Sequence, residues 1–176
     1  MGKLSKDCVQ GVFDGDQGVD DAQGQQPLEP QRLQALHLSH LRADLNLTRP
    51  DYEPALRRAA DEARALGAAL EVALIVSDAA EEELKALVAV LRQIKPPVRA
   101  YLVFHVAEGA TSEKWVRLAR AHLSGYDAGA KIGAGTNAFF THLNRSHPPV
   151  GAIDLTCYPV NPQCHAFDNT SLTETL

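Results

Sequence analysis

The chain has 176 residues, 45% of them hydrophobic, and a net charge of -5. That length and apolar content fit one domain with a real core and exclude a chain disordered throughout. The negative balance, with no basic block, argues against nucleic acid as the main partner.

No apolar run approaches the ~20 residues needed to cross a bilayer, so no membrane partner is expected. The start, "MGKLSKDCVQGVFDGDQG", lacks the apolar stretch of a secretory signal. Met-Gly at the front fits myristoylation poorly, because Lys6 stands where serine or threonine is wanted. Cys8, Cys157 and Cys164 show no paired spacing. They read as ordinary free thiols in a reducing cytoplasm, without a zinc or disulfide framework.

Residues 1–27 differ from the rest. Asp7, Asp14, Asp16, Asp20 and Asp21 face only Lys3 and Lys6, glycine and glutamine abound, and no apolar period persists. This predicts a flexible acidic tail. A calcium loop is disfavoured, since the spacing and closing glutamate of an EF-hand are missing.

Regular patterning begins at residue 28, giving a domain over 28–176. "LEPQRLQAL" reads as a short helix. Leu41, Ala43, Leu45 and Leu47 then alternate with polar residues as in a strand over 40–47. Pro50 and Asp51 open a helix with Leu56, Ala59, Ala63 and Leu66 on its inner face, and Gly67 stops it. "LEVALIV", 70–76, is a strand apolar enough to be covered on both faces. Asp78 and Glu81 form a capping box for a helix that Pro96 and Pro97 end. "VRAYLVF", 98–104, is the third strand, and Thr111-Ser112 precede a helix bearing Trp115, Leu118, Ala119 and Leu123.

A weak fourth strand is expected at 131–135, then a short helix in "NAFFTHLNR", then a fifth strand over 152–160. Ser171 and Glu174 resemble one more capping box.

Strand starts near 41, 70, 98, 131 and 152 lie 29, 28, 33 and 21 residues apart. Alternation at that spacing means parallel βα units with right-handed crossovers. A closed (β/α)8 barrel runs to ~250 residues, or about 31 per unit. The fold class is therefore α/β: a partial (β/α)8 TIM barrel of about five parallel βα units, reading as a segment of a larger barrel. The competing architecture is a five-stranded open sheet of flavodoxin type, with nucleotide binding as its function.

"GAGTNA", 133–138, matches a dinucleotide fingerprint ending in alanine. The residues before it, "YDAGAKI", make a poor buried strand, and Asp154 stands near the beginning of its strand rather than at its end. The glycines are better read as a tight turn at a barrel mouth.

In barrels, polar residues at carboxyl-terminal strand ends face the substrate. That rule collects Asp44, Asn46, Asp78, His105, Glu108, Thr136, Asn137, His142, Asn144, Tyr158, Asn161 and His165. Asp78 is more simply a helix cap and Glu108 a solvated loop residue. Asp44 is either a site carboxylate or the partner of Arg42. No HxH, HExxH or GxSxG occurs, so neither a metal nor a serine triad is expected, and no cofactor is called for.

"GTNAFFTHLNRSHPP" and "NPQCHAFDNTSLTETL" together resemble the barrel domain of the D-apionate lactonase family. "HLRADL" and "ALGAALEVAL" are similar as well. The resemblance implies hydrolysis of a sugar-acid lactone, apionolactone to apionate, on a glycoside-hydrolase-like barrel in carbohydrate metabolism. It carries Thr136, Asn137, Asn144, Arg145, Asn161, Gln163, His165 and Asp168 into substrate contact. His142 stands where the family pattern has a glutamate, so His142 and Asp44 become the candidate catalytic pair. Histidine takes protons near neutral pH but offers no carboxylate nucleophile. Arg145 either orients a carboxylate or closes a helix end. The family barrel is longer, so the chain reads as a truncated member. Turnover, a non-catalytic sugar-acid-binding remnant, and self-association through unclosed sheet edges all stand as expectations.

Overall fold

In the computed structural model, residues 33–147, 150–160 and 168–170 are described. Strands β1 (His40–Asn46), β2 (Ala69–Val76), β3 (Val98–His105), β4 (Lys131–Gly135) and β5 (Leu155–Cys157) alternate with helices α1 (Tyr52–Leu66), α2 (Ala80–Ile94), α3 (Glu113–Leu123) and α4 (Thr141–Arg145). The strands form one parallel sheet in the order β1-β2-β3-β4-β5.

Two features make this a barrel rather than a doubly wound sheet. The strand order follows the chain without the reversal that a flavodoxin-type sheet requires. The helices also share one face. Leu56, Ala60 and Ala63 of α1, Leu84, Leu87 and Leu91 of α2, and Trp115, Val116 and Ala119 of α3 join one core with Leu70, Val72, Leu74, Tyr101, Val103 and Ile132 of the sheet. The opposite face carries a separate small cluster of Ala73, Leu102 and Phe104, with Ile75 and Cys157 against it. Since side chains alternate along a strand, residues on both faces of β2 and β3 are apolar, as the sequence pattern required. The chain is a partial TIM barrel, with Ala73, Leu102 and Phe104 buried on its inner face.

Helix boundaries follow local chemistry. Gly67 closes α1 at φ 66, with its N–H donating to Arg64 O. Lys95 closes α2 in the same left-handed region at φ 50, ahead of Pro96 and Pro97. The start of α2 departs from the expected capping box. Its first residue is preceded by Ala79, and Asp78 makes no cap. Glu83 takes that part instead, accepting from Ser77 N at 2.9 Å and Ser77 Oγ at 2.6 Å, while Ser77 Oγ accepts from Ala79 N. Serine one residue earlier and glutamate two residues later than expected do the capping.

β5 is also shorter than the 152–160 expected. Arg120 donates to Ala152 O at 2.9 Å and to Asp154 Oδ2 at 3.0 Å, and Asp154 Oδ2 accepts from Ile132 N at 2.8 Å. A carboxylate and a guanidinium thus take the backbone partners that a longer ladder would have used.

Gly133 and Gly135 lie inside β4, not in a turn after it. A Cβ on Gly135 would stand 1.8 Å from the Cys157 carbonyl oxygen, and one on Gly133 2.7 Å from Leu102 Cδ2. The glycines admit close packing of β4 against β5 and β3. This replaces both the phosphate-turn and the mouth-turn readings of "GAGTNA".

Gly135→Ala is expected to lose about 1–3 kcal/mol by overpacking, seen as a lower midpoint in urea unfolding. Tyr101 Oη is buried without a hydrogen-bond partner among the described residues, and burial pushes its phenol well above the usual range. Tyr101→Phe removes that desolvation penalty and should leave stability equal or raise it by ~1 kcal/mol. The Asp154 carboxyl is held below its ordinary range by the Ile132 amide first and Arg120 next. A depressed folded value stabilises above the unfolded pKa of about 3.9 and is lost as pH falls through the folded one. The acid limb of the unfolding midpoint should therefore flatten in Asp154→Asn.

Candidate functional site

Parallel pairing sets side chains of the inner face in rows. Arg42, Glu71, Ala100 and Lys131 share the lowest row, and Asp44, Ala73, Leu102, Gly133 and Leu155 the next. Asn46, Ile75 and Phe104 stand in the row nearest the carboxyl ends. One side of this face is polar through β1, and its middle is apolar.

The β1 side is internally committed. Arg42 donates from Nε at 3.1 Å and Nη2 at 2.9 Å, both to Asp44 Oδ1. Burial works against the guanidinium charge, but the Asp44 hydrogen bond and charge, with Glu71 and Cys157 adding, outweigh it and raise the pKa. Of the two readings of Asp44, the ion pair with Arg42 is present. Asn46 Oδ1 accepts from Thr48 N and Thr48 Oγ1, an Asx turn that starts the loop to α1. Across the face, burial pushes the Cys157 thiol up to about 12, with Arg42 opposing and Glu71 adding to the shift. It stays protonated and unreactive at neutral pH. A cavity of about 600 Å³ lies beside β1 and α1, lined in part by Asp44, Asn46, Arg49, Tyr52 and Arg58.

The carboxyl ends of β3, β4 and β5 build the other side. His105 ends β3, is 6% exposed, and stacks on Trp115 with ring centroids 4.3 Å apart and planes 6° from parallel. Ala107 N donates to its Nδ1 at 3.3 Å, which assigns the proton to Nε2. Nε2 is buried without a hydrogen bond among the described residues and lies 3.6 Å from Asp78 Oδ1.

Glu108 is not the solvated loop residue expected. Its Oε2 accepts from Ser112 N at 2.7 Å, and its Oε1 from Ser112 Oγ at 3.0 Å and Trp115 Nε1 at 2.8 Å. Burial raises its pKa, but the Ser112 amide, the Trp115 indole and the Ser112 hydroxyl more than offset this and hold the carboxyl below its usual range. The spacing Glu108, Ser112, Trp115 was the available signal.

Thr136 is buried at the end of β4, its Oγ1 accepting from Ala138 N at 3.0 Å and its N–H donating to Cys157 O at 3.1 Å. Asn137 follows in the exposed loop. Phe140 and Tyr158, both about half exposed, meet edge to face at 4.9 Å above β4 and β5. His142 opens α4 half-buried, its ring packed against Gly109 of the β3–α3 loop. Asn144 and Arg145 are exposed in the last turn of α4, and Asp168 is exposed beyond β5. Asn161 and His165 lie outside the described residues.

Thr136 and Asn137 directly follow β4, and His142, Asn144 and Arg145 lie on α4, the next helix. Asp44 is not with them: two strands intervene between β1 and β4, and no hydrogen bond or ion pair among the described residues joins it to His142. Among the described residues no three His, Cys, Asp or Glu side chains converge as metal ligands would. No helix of the described residues is long and apolar enough to cross a membrane.

Residues 19–176 match the family model described as D-apionate lactonase, TIM barrel domain. Comparison with curated proteins and with solved structures gives no significant match. With five sequential parallel strands, α1 to α3 packed on one face of them, and a family match over most of its length, the chain belongs to the D-apionate lactonase family through its TIM barrel domain.

Proposed function

We propose that the end of the sheet around β4 binds a sugar-acid lactone and opens it by hydrolysis, apionolactone to apionate being the substrate and product the family description suggests. The family match carries this reading. The placement of His142 supports it: an imidazole beside the carboxyl end of β4, half-buried, with polar Asn137, Asn144 and Arg145 close in sequence.

Hydrolysis adds water across the ring ester. His142 takes a proton as the water oxygen attacks the carbonyl carbon, and the carbonyl oxygen gains negative charge. Collapse of the tetrahedral intermediate breaks the C–O ring bond, and protonated His142 returns its proton to the leaving alkoxide, while the new carboxylic acid ionises to water. The products are a carboxylate and an alcohol. Asn137 and Asn144 are the amide donors available to the developing oxyanion, and Arg145 supplies a cation for the acid's carboxylate. Asn161, His165 and Asp168 join them as substrate contacts, on the resemblance of their segment. Asp44, fixed by Arg42, stands apart from them on β1.

β1 and β5 each pair on one side only among the described residues, and we place self-association on those edges. Sedimentation equilibrium should show a dimer or larger species. A monomer at ~100 μM would remove that part of the proposal.

Purified protein is expected to open a five-carbon sugar γ-lactone, followed by acid release at constant pH. His142→Ala should lower kcat by ~10²–10⁴-fold while the fold is kept. Binding of the sugar acid by a protein that melts cooperatively but shows no turnover would support the binding-remnant reading instead.

A further inference from the structure

We propose that Glu108 and Gly109 form a rigid seat that positions the imidazole of His142. The inference rests on the reading of His142 as the proton carrier, but its geometry and its test do not require turnover.

The seat is built outward from β3. His105, the last residue of that strand, stacks on Trp115 of α3, so strand end and helix are locked ring to ring. The Trp115 indole donates to Glu108 Oε1, and the Ser112 amide and hydroxyl donate to the same carboxylate. The Glu108 N–H donates back to His105 O at 3.1 Å. Residue 108 is thus held at both its main chain and its carboxylate, by groups from the strand end and from the helix start. Charge-assisted bonds of this kind are roughly twice as strong as neutral ones.

Gly109 follows directly, and its bare Cα faces His142. A Cβ built there would stand 2.4 Å from His142 Nδ1, 2.8 Å from Cε1 and 3.1 Å from Cγ. Three ring atoms therefore rest on one residue, and any side chain would displace the imidazole. From the other direction, His142 N donates to Phe139 O, and Ser146 N donates to His142 O, which fixes the main chain that carries the ring. The imidazole is held between its own helical turn and the loop from the neighbouring strand. Glu108 and Gly109 touch no reacting atom in this account. They are positioning residues for a group whose useful placement is sensitive to shifts of about 1 Å.

The full-length protein, isotopically labelled, tests this by nuclear magnetic resonance. Nuclear Overhauser contacts are expected between the His142 ring protons and the Gly109 α-protons. Glu108→Gln, which keeps the shape and removes the charge, should move the Trp115 indole N–H resonance and the His142 ring resonances together. Gly109→Ala should move the His142 ring resonances and abolish the contacts while leaving the Trp115 indole in place. Where lactone turnover is measurable, Gly109→Ala should lower kcat by ~10²-fold with little change in KM. Absence of the contact in the wild type would overturn the proposal. So would a Glu108→Gln variant whose indole resonance moves while the His142 ring does not. A confirmed contact with no turnover would leave the seat standing and count against the lactonase reading alone.

Discussion

The structure depends on how closely β5 lies on β4. The Cys157 carbonyl occupies the space where a side chain at position 135 would begin, so the approach exists only because that residue has no Cβ. Contacts on both sides of β4 gather at this point. Thr136 N reaches Cys157 O, and Thr111 N and Oγ1 are brought to the β3–β4 junction, bonding Gly135 O and Val103 O. The loops after the paired strands β3 and β4 bring Gly109 and His142 into touch. A side chain at 135 would push β5 away from β4.

Much of the architecture was legible because it rests on periodicity. β1 to β4 and the three long helices fall within one or two residues of their sequence-based bounds, since alternation, helical stripes and a glycine stop each act locally. What failed to show was chemistry between elements. β5 was overextended because the string "AIDLTCYPV" is apolar and alternating, while the loss of its first residues accompanies bonds from Arg120, 34 residues before Asp154 on a helix. The cap of α2 was misplaced by one residue because Asp78 and Ser77 are equally plausible caps, and only the position of Glu83 decides between them.

The candidate site divides along the same line. A motif resemblance located His142 and the polar residues beside it, all close in sequence around β4. The supporting groups were harder to read. Glu108 looked like a loop residue because nothing local says that an indole seven positions later will reach back to it. Asp44 was ambiguous for a physical reason: on an alternating strand, a residue two positions from an arginine is equally placed to face substrate or to pair with it, and the structure has the pair. Gly133 and Gly135 read as a turn at the barrel mouth because glycine records only that space is short, and not whether a turn or a neighbouring backbone requires it.

Trp115 is the chain's single tryptophan. Its indole lies flat on the His105 imidazole, donates to the Glu108 carboxylate, and is 4% exposed. The protein's ultraviolet-excited emission above 300 nm therefore arises largely from one ring, placed one residue's breadth from the loop that meets His142. Because that ring is shielded from water and in contact with an imidazole able to quench it, emission colour and intensity report the state of the mouth without any added label.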